Sequence, residues 1–136
     1  MKIQQRLFTA FKFWIIQNFV EIIIILLLEY SGINVMSDFC KKCLLIENIE
    51  ATAWGIGFKA LIFLLPYLLL FVLMSFLPYF KKSSSNFRYA LLNGIVSCAI
   101  ILLIGILKSK EILLPVLSVS ISSCIIIVYT KLKAIR

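Results

Sequence analysis

The chain contains no histidine. The side chain that titrates near neutral pH is therefore missing, and with it the commonest metal ligand and the usual triad base. A Gly-rich phosphate loop, a nucleophile elbow and carboxylate pairs at hydrolase spacing are also absent. Acidic residues are scarce, six against 14 lysines and arginines. Period-two alternation of apolar and polar residues is missing, which argues against a membrane β-barrel. The net charge is +8, yet no aromatic-interleaved basic patch lies outside the apolar runs, so direct nucleic-acid binding is not expected. No metal or cofactor is expected either. Any enzyme chemistry would have to rest on the four cysteines.

What is abundant is apolar. Hydrophobic residues make up 62% of the 136, and the mean hydropathy is +1.08. Four runs, at approximately residues 7–30, 58–80, 89–107 and 112–130, carry most of them. Each is close to the ~20 residues that cross ~30 Å of hydrocarbon at 1.5 Å per residue. In lipid every backbone polar group must be satisfied internally, so these runs must be helices. The expected fold is an all-α membrane protein: one transmembrane domain over residues 1–136, built as a four-transmembrane-helix bundle and homo-oligomeric. An outer loop at 31–57 carries a short amphipathic helix, with Met36, Phe39, Cys40, Cys43, Ile46 and Ile49 at helical spacing.

Charge sets the orientation. Lys2, Arg6 and Lys12, then Lys81, Lys82 and Arg88, then Lys131, Lys133 and Arg136 would share one face, with no carboxylate among them. Glu29, Asp38, Glu47, Glu50 and Glu111 fall on the other face, mixed with Lys41, Lys42, Lys59, Lys108 and Lys110. Short loops rich in Lys and Arg stay inside, so both termini are expected in the cytoplasm of a bacterium, with the bundle in its inner membrane. Gln17, Asn18 and Glu21 interrupt the first run, and no Ala-x-Ala-like site follows Tyr30, so the first helix is expected to remain uncleaved.

Within the spans, Gln17, Asn18 and Glu21 share one helical face and form an intramembrane polar stripe. An ionisable residue there must face the bundle, an interface or a water-filled cavity. Glu21, with no basic partner evident in another span, reads as an interhelical hydrogen-bonding group or as a proton or cation site. Pro66 should kink the second span. Trp54 is placed as an interfacial anchor ahead of a Gly55-Ile-Gly57 hinge. Ser118 with Ser122, Ser120 with Cys124, and Gly94 with Cys98 are small residues four apart, which mark close helix packing.

Cys40-Lys-Lys-Cys43 is a C-x-x-C in the outer loop, a candidate disulfide or redox pair. Cys98 and Cys124, each about ten residues from the turn at 108–111, form a candidate second pair. Together these resemble the four-helix quinone-coupled disulfide oxidases of the DsbB type. That resemblance implies thiol–disulfide exchange at Cys40 and Cys43. In those enzymes, however, the second pair lies in an outer loop rather than inside spans. The alternative reading is a structural disulfide, or cysteines that serve as small packing residues.

In size and topology the whole chain resembles the four-span membrane subunit of the Kiwa antiphage defence system. Colicin-type immunity proteins are similar in size and apolar density. The Kiwa resemblance implies an oligomeric inner-membrane sensor of phage infection with a cytoplasmic partner. The docking face would then be Lys81, Lys82, Arg88, Lys131, Lys133 and Arg136. The expected function is a non-enzymatic sensor or anchor subunit that recruits a cytoplasmic effector, with membrane lipids and its own copies as further partners. Immunity against a membrane-active toxin is the alternative, followed by a DsbB-like oxidoreductase or a small transporter. Replacing Cys40 or Cys43 by serine separates these classes. A thiol–disulfide oxidase loses all function in a cell-based assay, whereas a sensor or immunity protein retains it.

Overall fold

In a computed structural model, residues 2–31, 45–81, 86–108 and 113–136 are described. Every element among them is a helix: α1 (Ile3–Tyr30), α2 (Leu45–Ile62), α3 (Leu64–Ser75), α4 (Pro78–Lys81), α5 (Asn86–Lys108) and α6 (Leu113–Ile135). Three are long and apolar enough to cross a membrane, over Ile3–Leu28, Asn86–Gly105 and Val116–Ile135. A fourth candidate is a broken pair, Ala53–Ile62 with Leu64–Ser75, bent by 55°. The architecture is that of a helical membrane protein.

α1 is the axis of the bundle and packs against α2, α3, α5 and α6. Its sequence is arranged inside out. Phe11, Ile15, Phe19, Ile23 and Leu27 recur every fourth residue and are exposed, while Ala10, Trp14, Gln17, Glu21 and Ile25 are buried. A helix in lipid gains nothing by hiding large apolar side chains, so its polar residues turn inward. An aromatic ladder fills the centre: Trp14 lies 4.3 Å from Tyr67 between ring centroids, Tyr67 lies 5.8 Å from Phe71, and Phe71 lies 6.1 Å from Tyr89. These rings join α1, α3 and α5 at separations where aromatic pairs attract.

α5 and α6 form the tightest pair, and small residues are the reason. Ser118 and Ser122 are fully buried. A Cβ built on Gly94 would lie 3.4 Å from the Ser123 Cβ and 3.4 Å from the Ile127 side chain, so the glycine lets the two helices come to van der Waals contact there. The expected packing seam is therefore used between these two helices.

Two boundaries differ from the sequence expectation. α2 begins at Leu45 and runs unbroken through Gly55 and Gly57, so no hinge opens there. The break falls at Phe63 (φ −95°, ψ 4°), three residues before Pro66. Proline has no N–H to offer the carbonyl one turn earlier, so the ladder fails ahead of the ring rather than at it. Near this break the Ala60 carbonyl accepts a hydrogen bond from Trp14 Nε1 at 3.0 Å. Trp54 is exposed on α2 and packs beside Phe58, at 5.8 Å between centroids. The loop helix expected over residues 36–49 lies mostly outside the described residues, and only its last positions, from Leu45, belong to α2.

One end of the bundle gathers the start of α1, the end of α3, the start of α5 and the end of α6. Arg6 was assigned to the basic face, but it is buried. Its guanidinium donates to the Ser75 backbone carbonyl and, at 2.7 Å, to Ser75 Oγ, and it lies 4.4 Å from the Phe76 ring centroid. Charge-assisted bonds of this kind contribute about 1.5–3 kcal/mol each. Arg6→Ala is therefore expected to lower stability by about 2–3 kcal/mol. Thermal unfolding in mild detergent checks this, with the exposed Lys2→Ala as an unaffected control.

Candidate functional site

The inward face of α1 meets the other helices through a directed chain of hydrogen bonds. Tyr67 (α3) donates its hydroxyl to Asn93 Oδ1 at 2.6 Å. Asn93 (α5) donates Nδ2 to Gln17 Oε1 at 3.0 Å. Gln17 (α1) donates Nε2 to Ser122 Oγ at 2.8 Å. Ser122 (α6) donates to the carbonyls of Ser118 at 2.8 Å and Val119 at 2.9 Å. A second donor reaches Gln17 Oε1 from Ser123 at 3.3 Å. Four helices are thus tied by buried polar groups that satisfy one another. Interhelical bonds of this kind average about 0.6 kcal/mol in membranes, and the chain polarises its members in one sense. It ends on backbone carbonyls that have no proton to pass on. That suits a structural tie better than a proton path.

One turn further along α1, Glu21 makes an ion pair with Lys59 of α2. The carboxylate is 2% exposed and the lysine 16%. The sequence places Lys59 among the charges of the outer face and leaves Glu21 without a basic partner. Both readings are corrected here. α2 is continuous past Gly57, so the helix carries Lys59 to face α1, where it meets Glu21. A cavity of about 10 Å³ adjoins the pair, lined in part by Gln17, Glu21, Lys59 and Ser97. That is close to the minimum room for a single water. The Ser97 hydroxyl is buried without a hydrogen-bond partner, as is Asn18 Oδ1.

The predicted stripe divides. Gln17, Asn18 and Glu21 are all buried, but Asn18 turns its amide back onto its own helix, donating to the Trp14 carbonyl at 2.8 Å. Cys98 and Cys124, the candidate second pair, are not disulfide-bonded. Both thiols are free; Cys98 faces Ser120, 4.0 Å away between Sγ and Oγ, and Cys124 is exposed. Cys40, Cys43 and Lys82 lie outside the described residues. Of the basic face, Arg88 is committed to α4, donating to the Tyr79 carbonyl at 2.8 Å with its guanidinium 4.7 Å from the Tyr79 ring. Lys81, Lys131, Lys133 and Arg136 are exposed.

Sequence reasoning missed Asn93, Tyr67, Ser75 and Lys59 as partners. The signal was there for two of them, because an amide or ammonium flanked by apolar residues inside a span demands a partner. No cluster of His, Cys, Asp or Glu that could hold a metal occurs among the described residues. No protein-family model, curated protein or solved structure matches the chain.

Removing one member of a buried pair strands the other charge, at a cost of about 3–5 kcal/mol. Lys59→Met alone should therefore destabilise strongly, and adding Glu21→Gln should recover most of the loss. Thermal unfolding of the two variants in detergent measures this, and an additive double variant would show the pair to be uncoupled.

Proposed function

We propose that this chain is a membrane anchor or sensor subunit that works through a soluble partner. It crosses the membrane four times, counting the bent α2–α3 pair as one span, with both termini in the cytoplasm. The observation that carries this reading is the distribution of polar groups. Those inside the bundle are largely consumed by one another, as the Gln17 chain, the Glu21–Lys59 pair and the Arg6–Ser75 clamp illustrate. Among those left exposed, a group of cations clusters at one end. Lys131, Lys133 and Arg136 stand exposed on the last turns of α6, a continuous helix to Ile135. They make no ion pair with a carboxylate among the described residues.

A helix end presenting cations loses little backbone freedom on docking and attracts an acidic surface over about 8–10 Å at physiological salt. A defence system of the Kiwa type, with a cytoplasmic effector seated on a homo-oligomeric membrane core, is consistent with this arrangement. Immunity against a membrane-active toxin is a second reading. It draws on the exposed lipid-side stripe of α1, Phe11, Ile15 and Phe19, against which a membrane-inserted toxin helix would lie.

Affinity purification from native membranes, with the mass of the intact complex, tests the proposal. A stoichiometric soluble protein is expected to accompany the chain. It should be lost in a Lys131→Gln/Arg136→Gln variant that still inserts. Recovery of the chain alone overturns the effector reading and leaves toxin immunity. The orientation is checked separately by an alkaline phosphatase fused after Arg136, which should be inactive in the cytoplasm, and by one inserted in the 31–57 loop, which should be active.

A further inference from the structure

The N-terminal half of α1 and the C-terminal half of α6 flank a groove of about 590 Å³, within the ~300–1,000 Å³ typical of small-molecule sites. Its walls are graded. Towards the end of the bundle stand Lys12 from α1, Lys133 from α6 and Asn86 at the start of α5. Deeper in, the lining is Phe13, Ile16, Val20 and Ile126. The groove leads towards the level where Gln17 and Ser122 tie the same two helices together. Both lysines are exposed and make no ion pair among the described residues. None of the six carboxylates in the chain lies in the sequence segments that form this end.

We infer that the groove binds one anionic phospholipid. Its phosphate lies between Lys12 and Lys133, with Asn86 as an added donor, and an acyl chain follows the apolar wall. Two lysines from different helices, above a channel of aromatic and branched side chains, match the headgroup-then-chain order of a lipid in its own leaflet. A second copy of the chain fits less well. Its own basic end carries no carboxylate to meet these lysines, and like charges would face each other across the groove. The inference depends on the chain residing in a membrane and not on the effector reading, so either can fail without the other.

Native mass spectrometry of the full chain in mild detergent, titrated with phosphatidylglycerol or with phosphatidylcholine of the same acyl chains, tests it. One phosphatidylglycerol per chain should be retained in preference to phosphatidylcholine. Lys12→Gln/Lys133→Gln should weaken that binding about 30-fold, and Lys131→Gln/Arg136→Gln, which removes equal charge outside the groove, by less than about threefold. Ile125→Trp, which fills the groove from an exposed lining position without changing charge, should also abolish retention. Equal weakening in the two charge variants would overturn the site in favour of diffuse attraction to the basic end. So would unchanged retention in Ile125→Trp, or equal binding of both lipids. A dimer that dissociates in Ile125→Trp while phosphatidylglycerol stays bound would assign the groove to a second copy instead. If the lysine variant fails to insert, the Ile125→Trp result and the lipid preference of the native chain still decide.

Discussion

The whole bundle depends on one amide. Gln17 accepts from α5 and donates to α6, and through Asn93 it is coupled to Tyr67 on α3. In water such a side chain would exchange partners with solvent at little cost. In hydrocarbon each of its four hydrogen-bonding positions must be met by protein, and that requirement fixes the rotation of α1 about its own axis. Once α1 is fixed, its opposite side is committed to lipid, and Trp14 and Glu21 are aimed at the broken second span. The aromatic ladder and the α5–α6 seam add packing, but they would tolerate small rotations that the directed chain does not.

The ion pair between Glu21 and Lys59 belongs to a different category. A buried pair is weak evidence for stability, since taking two charges out of water costs about as much as their attraction returns. Its value here is orientation. It joins α2 to α1 close to the break at Phe63, where the backbone ladder has already been interrupted, and it works beside the Trp14 bond to the Ala60 carbonyl. The upper part of the broken span is held by these two polar contacts, and the lower part by Tyr67 and Ser75. The two segments on either side of Phe63 therefore have separate anchors.

Much of this was legible in the sequence. Apolar length and turn composition located the helices, because the cost of an unsatisfied backbone in lipid leaves few alternatives. The burial of Gln17, Asn18 and Glu21 followed from the same cost. What escaped were features set by partners distant in sequence. Lys59 reads as a charge of the outer face because two glycines place the start of the second span beside it, at about residue 58, yet α2 starts well upstream and carries the lysine against α1. Arg6 was counted with the basic face because it lies near the chain start, and only the position of Ser75 shows that it is enclosed. Cys98 and Cys124 stand at similar distance from their turn, but depth alone does not make a bond, and the neighbour Cys98 meets is Ser120. The partners of Gln17 could not be chosen from sequence, because several serines and one asparagine occupied equivalent depths.

The second candidate span is bent by 55° between Ala53–Ile62 and Leu64–Ser75. α1 meets both pieces. Glu21 reaches Lys59 and Trp14 reaches the Ala60 carbonyl before Phe63, while Trp14 lies against Tyr67 and Arg6 reaches Ser75 after it. One continuous helix thus braces both arms of an elbow. A change of angle at Phe63 would pull at least one arm away from α1, so the bend is held as a fixed shape by its neighbour and not by the interrupted backbone ladder alone.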